Sequence, residues 1–156
     1  MTPADLTAAG RALYGEFWQT ALSRDLGVSK MFVRRWHGGY REIPDAVEDD
    51  VLKLLAARQV ERITDIIATN GSSANGCVLA VYNSDDDLRE VSGDEWSAQF
   101  HGRMIGRMID ALREESIDVR AVPIDARNYF RWLDRRQNSP SARAEYAAVH
   151  AAPYAS

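Results

Sequence analysis

The sequence predicts an α+β fold that is mostly α, with a helical unit over about 1–69 and a small β-α-β-α module over about 77–137. Three observations point there. Apolar residues recur every three or four positions through the first 69 residues, the period of helices that bury one face. The run Asn70-Gly71-Ser72-Ser73-Ala74-Asn75-Gly76 then breaks that period with turn-forming residues and reads as a linker. Beyond it, the uncharged run Cys77-Val78-Leu79-Ala80-Val81-Tyr82 has the character of a buried strand.

Pro3 suits the first turn of a helix, with Thr2 as its N-cap, and Leu6, Ala9 and Leu13 give that helix its buried face before Gly15 stops it. A second helix is expected from about Glu16 to Asp25, with Trp18 and Leu22 on one side and Gly27 at its end. Ser29 caps a third helix that runs through Trp36 and closes at Gly38-Gly39. Pro44 and the acids at 45, 48, 49 and 50 restart a helix at its positive end. Val47, Val51, Leu54, Leu55, Ile63, Ile66 and Ile67 carry it to about Thr69, on a stripe wide enough to face another module or another chain.

After the first strand, Asn83 to Glu95 reads as an acidic loop. Phe100, Met104, Ile105, Met108, Ile109 and Leu112 mark an amphipathic helix over about 97–115. Val119 to Ile124 is a second strand, and a helix follows around Asn128, Tyr129, Trp132 and Leu133. Strand-helix-strand-helix order implies one crossover unit. Two strands are too few to stand alone, so pairing with a second copy is expected. From Asn138 the chain is Ser- and Ala-rich, and 138–156 is read as a flexible tail with a short helix allowed after Pro140.

Composition narrows the function. At 46% hydrophobic and 27% charged residues the chain is globular in type. No apolar run reaches the length of a membrane helix, and Met1 to Leu6 lacks a signal peptide's basic start, so a cytoplasmic location is expected. Cys77 is the single cysteine, which excludes an internal disulfide and a thiolate zinc site. The net charge of −4 disfavours indiscriminate nucleic-acid binding, but its distribution is uneven. Arg11, Arg24, Lys30, Arg34, Arg35 and Arg41 outnumber the four acids of residues 1–43, whereas residues 71–118 hold ten acids against four arginines.

No Ser/His/Asp set, phosphate-binding glycine loop or spaced carboxylate pair suggests enzyme chemistry. His37, His101 and His150 lie far apart and read as surface or interface residues, so no metal or other cofactor is expected. Asp85-Asp86-Asp87 lacks the glycine and distal glutamate of a calcium loop and reads as a solvated loop or a helix start. Trp96, Tyr129 and Trp132 read as core or interface anchors. Arg120, Arg127, Arg131, Arg135 and Arg136 form a second basic run, read as solvated or paired with a partner's acids.

The most informative stretch is Gln19-Thr20-Ala21-Leu22-Ser23-Arg24-Asp25-Leu26-Gly27-Val28-Ser29-Lys30-Met31-Phe32-Val33-Arg34-Arg35-Trp36. Leu22 and Leu26 are apolar on the first helix, and Ser23 is small where two helices would approach. Gly27 stands where a tight turn needs positive φ. Val28, Val33 and Trp36 would pack the second helix back on the core. The stretch resembles the helix-turn-helix of phage repressors and related bacterial regulators. That resemblance implies that Lys30 and Arg34 reach base edges in the major groove, with Ser29 and Met31 beside them. Gln19 and Thr20 would hold phosphate and Arg35, Tyr40 and Arg41 would add backbone contacts; as an alternative role, Met31 or Phe32 would touch a thymine methyl instead.

A wider resemblance rests on Arg35-Trp36-His37-Gly38-Gly39, on Ile43-Pro44-Asp45-Ala46-Val47-Glu48 with a helix ending near Arg62, and on Tyr82-Asn83. These are similar to a family of anti-CRISPR-associated repressors in layout over roughly 17–124. This chain departs from them in its longer acidic loop and its extra C-terminal helix and tail. The resemblance implies a dimeric autorepressor on an inverted repeat in double-stranded promoter DNA, with no small-molecule ligand. It makes the C-terminal module the dimerisation domain, with Tyr82, Phe100, Met104, Met108, Val122 and Trp132 expected at the interface. The alternative is an antiactivator or antitoxin that masks a partner protein with its helix-turn-helix and acidic C-terminal half.

Overall fold

A computed structural model of the chain describes residues 1–69 and 76–151. Its first helix, α1 (Pro3–Tyr14), opens on a reciprocal cap: the Asp5 N–H donates to the Thr2 hydroxyl at 3.0 Å, and the Thr2 N–H donates to the Asp5 carboxylate at 2.9 Å. Leu6, Ala9 and Leu13 are buried as their spacing requires. A 3₁₀ turn over Gly15–Phe17 then intervenes, so α2 (Trp18–Asp25) begins two residues later than the expected Glu16. Gly10 explains how closely α1 meets α2: a Cβ there would lie 2.2 Å from the Trp18 ring. The third helix, α3 (Lys30–His37), and the long α4 (Asp45–Thr69) follow the sequence reading.

Of the linker expected at 70–76, only Gly76 is among the described residues, and it opens a strand. β1 (Gly76–Tyr82) and β2 (Asp118–Ile124) pair in parallel, with Leu79 opposite Ala121 and Tyr82 opposite Ile124. Between them lie α5 (Asp85–Ser92) and α6 (Ala98–Glu114); α7 (Ala126–Leu133) and α8 (Pro140–His150) follow. Side chains alternate along β1 as a pleated strand demands. Cys77, Leu79 and Val81 join one apolar cluster, whereas Ala80 and Tyr82 join another. Both α6 and α8 pack on the strands.

Two segments depart from expectation. The acidic stretch is a helix, not a loop. The Ser84 hydroxyl accepts from the Asp87 N–H, three aspartates occupy the first turn where the helix dipole favours them, and Leu88 and Val91 are buried. Surface acidity hid those two apolar residues, which lie three positions apart on one face of the helix. The segment read as a flexible tail holds α8, capped by the Ser139 hydroxyl and anchored by buried Ala142, Tyr146 and Ala147. Residues 152–156 lie outside the described part.

The core crosses the boundary that the linker suggests. One cluster runs from Leu6, Trp18, Val33 and Trp36 through Leu52 and Leu55 of α4 to Phe100, Met104, Met108 and Leu112 of α6. The stripe of α4 around Val51, Leu52 and Leu55 is therefore met by α6 of the same chain, whereas Ile66 further along is exposed. This corrects the expected dimer interface. Phe100 is 1% exposed, and Met104, Met108, Tyr82 and Val122 are likewise buried in the chain's own core, leaving almost no surface for a second copy. Trp132 is half-buried; its ring meets Tyr129 and Tyr146, with the Arg136 guanidinium 4.7 Å over it.

Candidate nucleic-acid interface

The turn between α2 and α3 is built as its residues dictate. The Leu26 N–H donates to the Leu22 carbonyl, and Gly27 takes φ 64°, a value that side-chain-bearing residues adopt at a cost. The Val28 N–H then returns to the Ser23 carbonyl at 2.9 Å. Ser23 is buried at this close approach, and its hydroxyl is satisfied locally by donating to the Thr20 carbonyl. At this same end of α2, the Tyr14 hydroxyl donates to Asp25, the last residue of the helix, at 2.6 Å. Burial and that hydrogen bond push the Tyr14 pKa up to about 12, while the same bond holds the Asp25 carboxyl below its usual range.

Val33 and Trp36 bind α3 to the core, and the Trp18 ring and Thr7 hydroxyl engage His37 at its end. The opposite side of α3 is open. Lys30, Met31, Arg34 and Arg35 are all exposed, with Ser29 exposed just ahead of them. Spacings of three and four residues bring Lys30 with Arg34, and Met31 with both Arg34 and Arg35, onto one surface. The charged ends of Lys30, Arg34 and Arg35 have no hydrogen-bond or ion-pair partner among the described residues. Arg103 pairs with Glu48, Arg107 with Asp49 and Arg136 with Glu145, whereas Arg127, Arg131 and Arg135 are, like the α3 cations, exposed without such a partner among the described residues.

The helix starts add a second contrast. A side-chain oxygen from Thr2, Ser84, Ser97, Asp125 or Ser139 caps α1, α5, α6, α7 and α8 respectively. Neither α2 nor α3 has such a bond: Phe17 carries no acceptor, and the Ser29 hydroxyl makes no cap contact. Their first-turn N–H groups, which favour anions, are left without side-chain partners. Of the residues expected at phosphate, Thr20 is exposed and Gln19 half-buried. Arg41 is exposed, with its guanidinium 5.1 Å above the Phe32 ring, and Tyr40 is 86% exposed beside Gly38.

Sequence reasoning missed Phe17, which is 93% exposed at the start of α2. The adjacent Phe17-Trp18 pair was the available signal, since a helix cannot bury both neighbours on one face. His101, read as a surface or interface residue, is instead buried in α6, with its ring 5.3 Å from that of Tyr82. Among the described residues no helix is long and apolar enough to cross a membrane. No protein-family model matches the chain, and no curated protein matches it.

Proposed function

We propose that the protein is a sequence-specific DNA-binding regulator whose α3 enters the major groove. The observation that carries this reading is the set of three exposed, unpartnered cations on α3 opposite the residues that anchor it. Lys and Arg on an open helix match both the phosphates and the guanine edges of a duplex. Uncapped starts on α2 and α3 offer backbone N–H groups to phosphate. Arg34 reads a guanine, Lys30 a neighbouring base edge, and Gln19, Thr20, Arg35, Tyr40 and Arg41 hold the backbone.

The regulator acts as a dimeric repressor that occupies an inverted repeat in a promoter. Two copies of α3 then sit about one helical turn, roughly 34 Å, apart. Selection from a random duplex pool, followed by gel-shift titration, tests the reading. Arg34→Ala is expected to weaken binding to the selected site by about 5- to 150-fold, the worth of a bidentate guanine contact. Equal affinity of the intact chain for every duplex in the pool overturns it.

A further inference from the structure

Resting on the DNA-binding reading, we infer that Met31 reads the C5-methyl group of a thymine flanked by the bases that Lys30 and Arg34 contact. Besides the buried Val33 and Trp36, α3 carries two apolar side chains, Met31 and Phe32, and the structure separates their roles. The Phe32 ring is already engaged: it stacks on Trp36 with centroids 6.0 Å apart and an interplanar angle of 26°, and Arg41 covers its face. Phe32 is half-buried, packed against the core and already in contact with both Trp36 and Arg41.

Met31 has no such engagement. It is 52% exposed in the first turn of α3, one residue after Lys30 and three before Arg34. An apolar thioether between two cationic ends is poorly placed for phosphate and offers no hydrogen bond to a base edge. The thymine methyl is the one apolar group that the major-groove edge presents. An unbranched, polarisable side chain adapts well to such a small apolar target. The arrangement of cation, thioether and cation therefore specifies a site in which thymine adjoins guanine.

Replacing thymine by uracil, base by base, in the selected duplex tests this without altering any hydrogen-bonding group. The intact chain is expected to lose about fourfold in affinity at one position per half-site, the worth of one buried methyl. Met31→Ala is expected to bind thymine and uracil duplexes equally, and Met31→Leu to restore the preference. A selected site without thymine under α3 overturns the inference. So does indifference to uracil at every position, or a preference that survives in Met31→Ala; all three leave the DNA-binding reading standing. Equal binding to every duplex removes both together.

Discussion

The Asp5 carboxylate accepts a hydrogen bond of 2.6 Å from the backbone N–H of Ser97, fastening the first turn of α1 to the first turn of α6. Its second oxygen accepts from the Thr2 N–H, the Thr2 hydroxyl and the Ser97 hydroxyl, so one carboxylate serves two helix starts. At 1% exposure it is shielded from water, and its acceptor sites are filled. This joint, together with the Glu48–Arg103 and Asp49–Arg107 pairs, ties α1 and α4 to α6.

Asp5→Ala strips the shared acceptor from four donors of Thr2 and Ser97 and is expected to cost about 2–4 kcal/mol. Ser97→Ala, which removes the cap of α6 and leaves the Asp5 bond to the backbone N–H, should cost about 1 kcal/mol. Urea unfolding midpoints measure both; equal effects would show that the carboxylate does no more than cap.

Stability should fall on mild acidification because of His101. Burial lowers its pKa below the ordinary 6.5, against a smaller opposing influence of Asp94, and its Nδ1 has no hydrogen-bond partner. The unfolded chain takes up a proton that the folded chain refuses. The contribution is thus intact above about pH 6.5 and declines as pH drops from there toward the folded value. The slope from this single group is at most about 1.4 kcal/mol per pH unit. His101→Gln should flatten the profile between pH 7.5 and 5.5 in urea melts.

Gly10→Ala drives a methyl into the Trp18 ring and is expected to cost about 1–3 kcal/mol through overpacking. Gly27→Ala meets open space, and its cost of about 1 kcal/mol comes from backbone conformation instead. Thermal melts of the two variants, with Trp fluorescence as a report on packing, separate these causes. A shift in emission is expected for Gly10→Ala alone.

Salt titration of operator affinity distinguishes a duplex from a protein partner. Each cation that holds a phosphate contributes about −0.9 to the slope of log affinity against log salt. Arg35→Ala should reduce that slope by about one unit while preserving the order of sequence preference. A slope near zero for the intact chain would favour the masking of an acidic or apolar protein surface.

Tyr146→Ala removes a buried ring that meets Tyr129, Trp132 and His150 and is expected to cost about 3–5 kcal/mol. A loss within 0.5 kcal/mol in chemical denaturation would mean that α8 adds nothing to the fold.

Local chemistry made much of this protein legible before its structure. Thr2-Pro3 starts α1, Gly27 marks the turn, Ser29 precedes α3 and Pro44 precedes α4, because each depends on the conformational habits of one or two residues. The exposed set Ser29, Lys30, Met31, Arg34 and Arg35 was legible for the same reason, since helical period places it opposite Val33 and Trp36; Phe32, read as outward too, is instead half-buried against the core. Legibility failed wherever the deciding neighbour was distant in the chain. Phe100, Met104 and Met108 resemble a spare interface until α4 is laid against them, and Leu88 and Val91 are lost among acids until they meet the second apolar cluster. The sequence by itself determined α1 to α4, α6, α7 and both strands, and which face of α3 is polar, but not that the acidic stretch forms α5 or that the tail is anchored by α8. Tertiary structure decided which apolar faces remain free, since burial is a property of pairs of surfaces and one-dimensional periodicity describes only one member of each pair.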